Sequence, residues 1–105
     1  MNDGCPLFLP WYLAYRLHAE GSAAAAGILQ DELHKAIPDW NFSVRSAPLA
    51  VLSSATMPSV LVEVGNLNNS MNAQRLTEPE FQARLVAAIS AAVQRFSESP
   101  QAAAN

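Results

Sequence analysis

The run Ser59-Val-Leu-Val-Glu-Val-Gly65 limits what this chain can fold into more than any other stretch. Val60 to Val64 is apolar on both faces that a strand would present, except at Glu63. A short unbroken apolar run rich in β-branched residues and closed by glycine is the pattern of a strand covered on both sides of a sheet. Leu49 to Leu52 is a second short apolar run of the same kind, with Pro48 before it and two serines after it. Two strands are therefore expected, and the second should lie well inside its sheet.

Helical patterns flank them. From Pro10 the sequence turns helical, because proline suits a first turn where its missing N–H is not needed. Gly21 is expected to divide this stretch, with Ser22 as the N-cap of the longer second helix. Ile28, Leu29, Leu33, Ala36 and Ile37 recur at three- and four-residue spacing, which marks one buried stripe. Gln30, Asp31, Glu32 and Lys35 fall on the other side, and Pro38 stops the helix. Asp39 to Ala47 reads as a loop with an extended end. Asn66 to Asn72 holds four Asn and one Ser, a composition that favours turns. Thr77-Glu-Pro-Glu80 has the form of a capping box, with Thr77 as N-cap. The helix it opens carries Phe81, Leu85, Ala88, Ile89, Ala92, Val93 and Phe96 along one face.

The expected order is helix, strand, strand, helix, an α/β arrangement. Two strands make a thin sheet, so the chain reads as the C-terminal portion of a larger sheet flanked by helices. Residues 1–9 are a leading segment, 10–97 the domain part and 98–105 a flexible tail. A missing N-terminal half or a second copy of the chain would cover the remaining sheet edge.

Composition narrows the classes. The chain has 105 residues, half of them hydrophobic and 14% charged, too apolar for a disordered segment. A net charge of −3 with scattered Lys and Arg gives no support to nucleic-acid binding. Cys5 is alone, so no intrachain disulfide is possible, and nothing near it in sequence would activate a thiol. No apolar run approaches the ~20 residues needed to span a bilayer. Met1 to Pro10 lacks the basic segment of a secretion signal.

Glu63 is the chemical anomaly. A carboxylate inside such a run is costly unless it has a partner or a purpose. Near the C-terminal end of its strand it would occupy the place where open α/β sheets put catalytic groups. A desolvated glutamate can shuttle protons near neutral pH. The plain alternative is a strand-end residue that reaches solvent or pairs with Arg45, and spacing leaves both open.

The stretch Ala55-Thr-Met-Pro-Ser-Val-Leu-Val-Glu-Val-Gly-Asn-Leu-Asn-Asn69 resembles the end of the catalytic domain in zinc-dependent N-acetylmuramoyl-L-alanine amidases of the family 3 type. That pattern is Met-Pro, a hydrophobic strand ending in Val-Glu, then Gly-aromatic-x-Ser/Thr-Asn. Leu49 to Leu52 resembles the preceding strand. Pro10-Trp11, Ala14 and Ser22 to Leu33 resemble the preceding helical segment, and Leu76 with Phe81 to Phe96 the closing helix. The similarity spans about residues 10–96. Asn66 stands where the family carries an aromatic, and Asn68 where it carries Ser or Thr, while Asn69 matches.

The resemblance implies hydrolysis of the amide between N-acetylmuramic acid and L-alanine in peptidoglycan, in the periplasm or the extracellular cell wall. Glu63 would be the catalytic glutamate, and Asn66, Asn68 and Asn69 would contact substrate. The family's zinc is held by two His and one Glu from segments N-terminal to everything matched. Zinc is thus expected for the complete domain, with no metal ligands in this chain and no activity of the chain alone. His18 and His34 read as helix-surface residues.

Rival readings fare less well. Ser53 and Ser54 lack the glycines of a nucleophile elbow. Trp11, Tyr12 and Tyr15 suit helix packing better than carbohydrate stacking. A non-catalytic, self-associating or wall-binding remnant is the alternative function, and an unrelated small α/β domain would require an accidental motif.

Overall fold

The computed structural model describes residues 18–46 and 57–103. Among these residues four helices appear in this order: α1 (Ala19–Ala36), α2 (Ser70–Leu76), α3 (Pro79–Ser97) and α4 (Pro100–Ala103). No strand occurs among the described residues. The expected α/β order is therefore corrected to helices joined by irregular segments. The reason lies in the ladder: a strand exists only with a partner for its N–H and C=O groups, and Val60–Val64 finds none among the described residues. Leu49–Leu52, the expected neighbouring strand, lies outside them.

Residues 60–64 nonetheless keep a period of two in their burial. Val60, Val62 and Val64 are half-buried, while Leu61 and Glu63 are exposed. Val62 and Val64 pack against the core, so only one face of the run is covered.

α1 forms because its start is alanine-rich, with little conformational cost, and because its apolar stripe has a surface to bury. Leu33 and Ile37 are buried, Ile28, Leu29 and Ala36 half-buried, as the spacing indicates. The helix runs unbroken through Gly21 and begins at Ala19, with His18 at the N-cap position. Ser22 does not cap it. Its hydroxyl instead accepts a hydrogen bond from the Ser59 backbone N–H at 2.9 Å and ties the 57–66 segment to α1. The helix ends before Pro38, where Ile37 N–H makes the last bond, 2.8 Å to Leu33 O.

α3 supplies the other half of the core. Phe81, Leu85, Ala88 and Ala92 are buried, whereas Val93 is exposed. The capping box is not formed. Glu78 is the N-cap residue and Pro79 the first helical residue, while Thr77 closes α2. The Thr77 hydroxyl donates to Gln74 O at 2.7 Å, and Glu80 pairs with Arg84 at 3.2 Å. Proline fixes the start one residue later because its φ suits that place.

α1 and α3 also share a charged seam. Arg95 reaches Asp31 at 2.7 Å and Glu32 at 2.6 Å, and Lys35 reaches the same two at 3.0 and 3.6 Å. Beyond α3, where a frayed tail is expected, Ser99 accepts from Ala102 N–H and α4 packs near α1.

Candidate functional site

Glu63 lies on the irregular 57–66 segment, with its side chain exposed. It is not the desolvated carboxylate of a central strand. No ion pair joins it to Arg45 or to any other described residue. It does border a concavity of about 300 Å³. Asp39, Trp40, Asn41 and Phe42 form one wall, Glu63, Val64 and Gly65 a second, and Asn72 closes the end. A longer groove of about 630 Å³ runs from Glu63 along Val60 and Ser59 between α1 and residues 41–46.

The aromatic wall is held from several directions. Trp40 N–H donates to Ile37 O at 3.1 Å, which continues the end of α1 by one turn. Its ring lies 4.7 Å from that of Phe81 and 6.3 Å from that of Phe42. Arg75 from α2 places its guanidinium carbon 5.2 Å from the Trp40 centroid and 4.4 Å from that of Phe81. The same guanidinium donates to Asp39 Oδ2 at 2.6 Å. Gln30 Nε2 donates to Phe42 O at 2.8 Å and fastens the loop to α1.

Gly65 is the point where the two walls meet. A Cβ added there would stand 3.3 Å from Trp40 Cη2 and from Leu76 Cδ1, and 3.4 Å from Asn72 Oδ1. A side chain there would press on the indole, Leu76 and Asn72, so glycine eases the close approach of the backbone that carries Glu63.

The asparagines after it build the turn. Asn72 Oδ1 accepts from Asn66 N–H at 3.0 Å, and Asn66 Oδ1 from Asn68 N–H at 2.9 Å. Asn69 Oδ1 accepts from Met71 and Asn72 N–H groups and caps α2. The side-chain oxygens of Asn66 and Asn69 are thus engaged, while Asn68 projects an exposed side chain without a bond among the described residues.

Of the residues singled out in the sequence, Glu63 borders the concavity and Asn66, Asn68 and Asn69 do not; Asp39, Trp40 and Phe42, which border it, and Arg75 behind them were not singled out. Trp40 and Phe42 left a signal: two aromatics in a polar loop directly after a helix-stopping proline. Arg75 left none, since its partner Asp39 is 36 residues away.

Among the described residues no group of three or more His, Cys, Asp and Glu stands together where it could hold a metal ion. His18 sits at the start of α1 and His34 on its exposed side. These residues do not fit a catalytic zinc site, which takes about three convergent protein ligands.

The family model described as N-acetylmuramoyl-L-alanine amidase matches residues 6–95. The chain belongs to this family. The match covers α1, residues 57–66, α2, α3 up to residue 95 and every residue bordering the concavity, so the motif around Glu63 is not an isolated coincidence in an unrelated domain. No curated protein and no solved structure matches the chain. No described helix of this family member is long and apolar enough to cross a membrane.

Proposed function

We propose that the chain is part of the catalytic domain of a peptidoglycan amidase, acting on the bond between N-acetylmuramic acid and L-alanine with Glu63 as its proton-transfer residue. The observation that carries this reading is the position of Glu63: a solvent-reached carboxylate on the border of a mixed polar and aromatic concavity, within a family match of amidase type. There the carboxylate takes a proton from the water that attacks the lactyl amide carbon. As the C–N bond breaks, it returns that proton to the departing amine of L-alanine.

Asn66, Asn68 and Asn69 are exposed but do not border the concavity; in this reading their side-chain amides donate to glycan or peptide oxygens that extend past it. Zinc belongs to the complete domain in this reading, with ligands from polypeptide other than the described residues. The site of action is the cell wall, in the periplasm or outside the cell.

The test is hydrolysis of purified muropeptides, read as newly formed α-amino groups on the stem peptide. The chain alone with added zinc should give no turnover. Joined to the metal-bearing segment of a peptidoglycan amidase, it should cleave, and Glu63→Gln should lower kcat by roughly 10²–10⁴-fold. Unchanged turnover in that variant would remove Glu63 from the chemistry.

One observation favours a second reading, self-association. Val44, Met57 and Leu61 are 47%, 58% and 47% exposed. A second copy covering them would make a concentration-dependent dimer in light scattering, and a monomer at all concentrations would exclude it.

A further inference from the structure

Glu63 stands on a segment that has no ladder among the described residues, so other contacts must fix where its carboxylate lies. Side chains from two helices hold the backbone on either side of it. Four residues before it, Ser22 of α1 accepts from the Ser59 N–H at 2.9 Å. Three residues after it, Asn72 of α2 accepts from the Asn66 N–H at 3.0 Å. Between these ties Val62 and Val64 lie on the core, which turns Glu63 outward.

The second tie is the nearer one, and it stands at the site itself. Asn72 borders the concavity together with Glu63, Val64 and Gly65. A Cβ at Gly65 would be 3.4 Å from its Oδ1. The helix that carries it is a firm base. Leu76 packs against the core, and Gln82 donates to Leu76 O at 2.7 Å. Arg75 lies over Trp40 and Phe81 and bonds Asp39 at 2.6 Å. The cap of α2 comes from Asn69, which accepts from the Asn72 backbone N–H at 3.1 Å. The Asn72 side chain therefore does nothing for the helix start. Asparagine is also a poorer helix former than alanine, so α2 gains nothing from it. What gains is the segment of Glu63.

We propose that Asn72 is a positioning residue for Glu63. From α2 it fixes the backbone at Asn66 and, through Gly65 and Val64, the place of the carboxylate. A displacement of about 1 Å at a reacting group can cost ~10²-fold in rate, so such a tie bears on turnover. Its effect on hydrolysis rests on the amidase reading, whereas its hold on the segment does not.

The test compares Asn72→Ala, which removes the acceptor and favours α2, with Asn72→Asp, which keeps an oxygen in the same place. In the ¹⁵N-labelled chain, Asn72→Ala should speed exchange of the Asn66 amide about 2- to 10-fold. It should also lower the heteronuclear NOE of Glu63, Val64 and Gly65, while Ala73 to Leu76 keep their exchange rates. Asn72→Asp should restore both readings. In the domain joined to the metal-bearing segment of a peptidoglycan amidase, Asn72→Ala should lower kcat about tenfold to 10²-fold with KM nearly unchanged. Asn72→Asp should recover most of that loss.

A raised KM with kcat kept in both variants would make Asn72 a substrate contact and overturn the proposal. Unaltered NOE values from Glu63 to Gly65, or exchange that speeds throughout α2, would overturn it as well. The two readings fail separately. Unchanged turnover in Glu63→Gln removes Glu63 from the chemistry, and the NOE values of the chain alone still decide whether Asn72 holds it. A kcat lowered by Glu63→Gln but not by Asn72→Ala overturns only the positioning role.

Discussion

At the scale of single residues, the site depends on an arginine doing two jobs at once. Arg75 pairs with Asp39 and also covers the faces of Trp40 and Phe81. The pair itself is partly open, with Asp39 66% and Arg75 24% exposed. Exposed pairs contribute little, so stacking should dominate. Asp39→Asn, which keeps the arginine over the rings, is expected to cost about 0.5 kcal/mol or less. Arg75→Met should cost about 1 kcal/mol, as it removes both contacts. Urea denaturation of both variants checks the order, and equal losses would show that the ion pair is the main term. Emission from Trp40 should move to longer wavelength only in Arg75→Met, as the ring gains water. Measuring it in a Trp11→Phe background isolates that indole. Gly65 belongs to the same scale: Gly65→Val would push on Trp40, Leu76 and Asn72 together, and it should lower stability by about 1–3 kcal/mol, the usual range for overpacking.

At the scale of elements, apolar spacing was readable and end chemistry was not. The stripe of α1 and the Phe81, Leu85, Ala88, Ala92 face of α3 follow from 3.6-residue geometry, and burial agrees with it. Capping groups depend on where a neighbouring chain passes. Ser22 has an N-cap composition but is taken by Ser59, and Thr77 has a capping-box composition but closes the helix before it. Asn69, read as part of a turn, is the side chain that does cap a helix. Asn69→Ala should therefore cost ~1 kcal/mol and speed amide exchange through Ser70–Leu76. Ser22→Ala should also cost about 1 kcal/mol, because it leaves the Ser59 N–H without its acceptor. The expected strand at Val60–Val64 failed for a related reason. Its composition encodes a preference for a sheet, and a sheet requires partners that composition cannot provide.

The seam between α1 and α3 gives a pH signature of its own. Hydrogen bonds from Arg95, then Lys35, hold Asp31 below its ordinary value of 3.8, and the Arg95 bond holds Glu32 below 4.5. Carboxyls lowered in the folded state stabilise it above their unfolded pKa values, and that contribution disappears as pH falls through the lower folded values. The chain should thus lose stability as pH drops from about 4.5 downward. All four groups are partly exposed, so salt should weaken the effect. Arg95→Met should flatten both the pH and the salt dependence over that range, measured as the denaturation midpoint. An unchanged pH profile in this variant would mean that other carboxylates carry the acid sensitivity.

For the whole molecule, the described core is narrow: Leu33, Ile37, Phe81, Leu85 and Ala88, with Trp40, Phe42, Val62, Val64 and Leu76 packed around it. Residues 57–66 lie on this core by one face and make no ladder, so their amides have few partners to slow exchange. Hydrogen exchange should show the greatest protection in α1 and α3 and little at Leu61 and Glu63. That contrast can separate the two readings of the exposed Val44, Met57 and Leu61 side chains. If the remainder of a catalytic domain covers them, supplying that segment should slow exchange at Leu61 and Glu63 at any chain concentration. If a second copy covers them, the same amides should slow only as the concentration of this chain is raised. An apolar face left in water exposes the alternate residues of a strand-like run, and such a run pairs with whatever chain offers a matching edge. Protection at Leu61 that responds to neither addition would mean that Val44, Met57 and Leu61 stay open to water, and that the site of Glu63 is bounded by the loop of Trp40, the Gly65 backbone and Asn72 of α2.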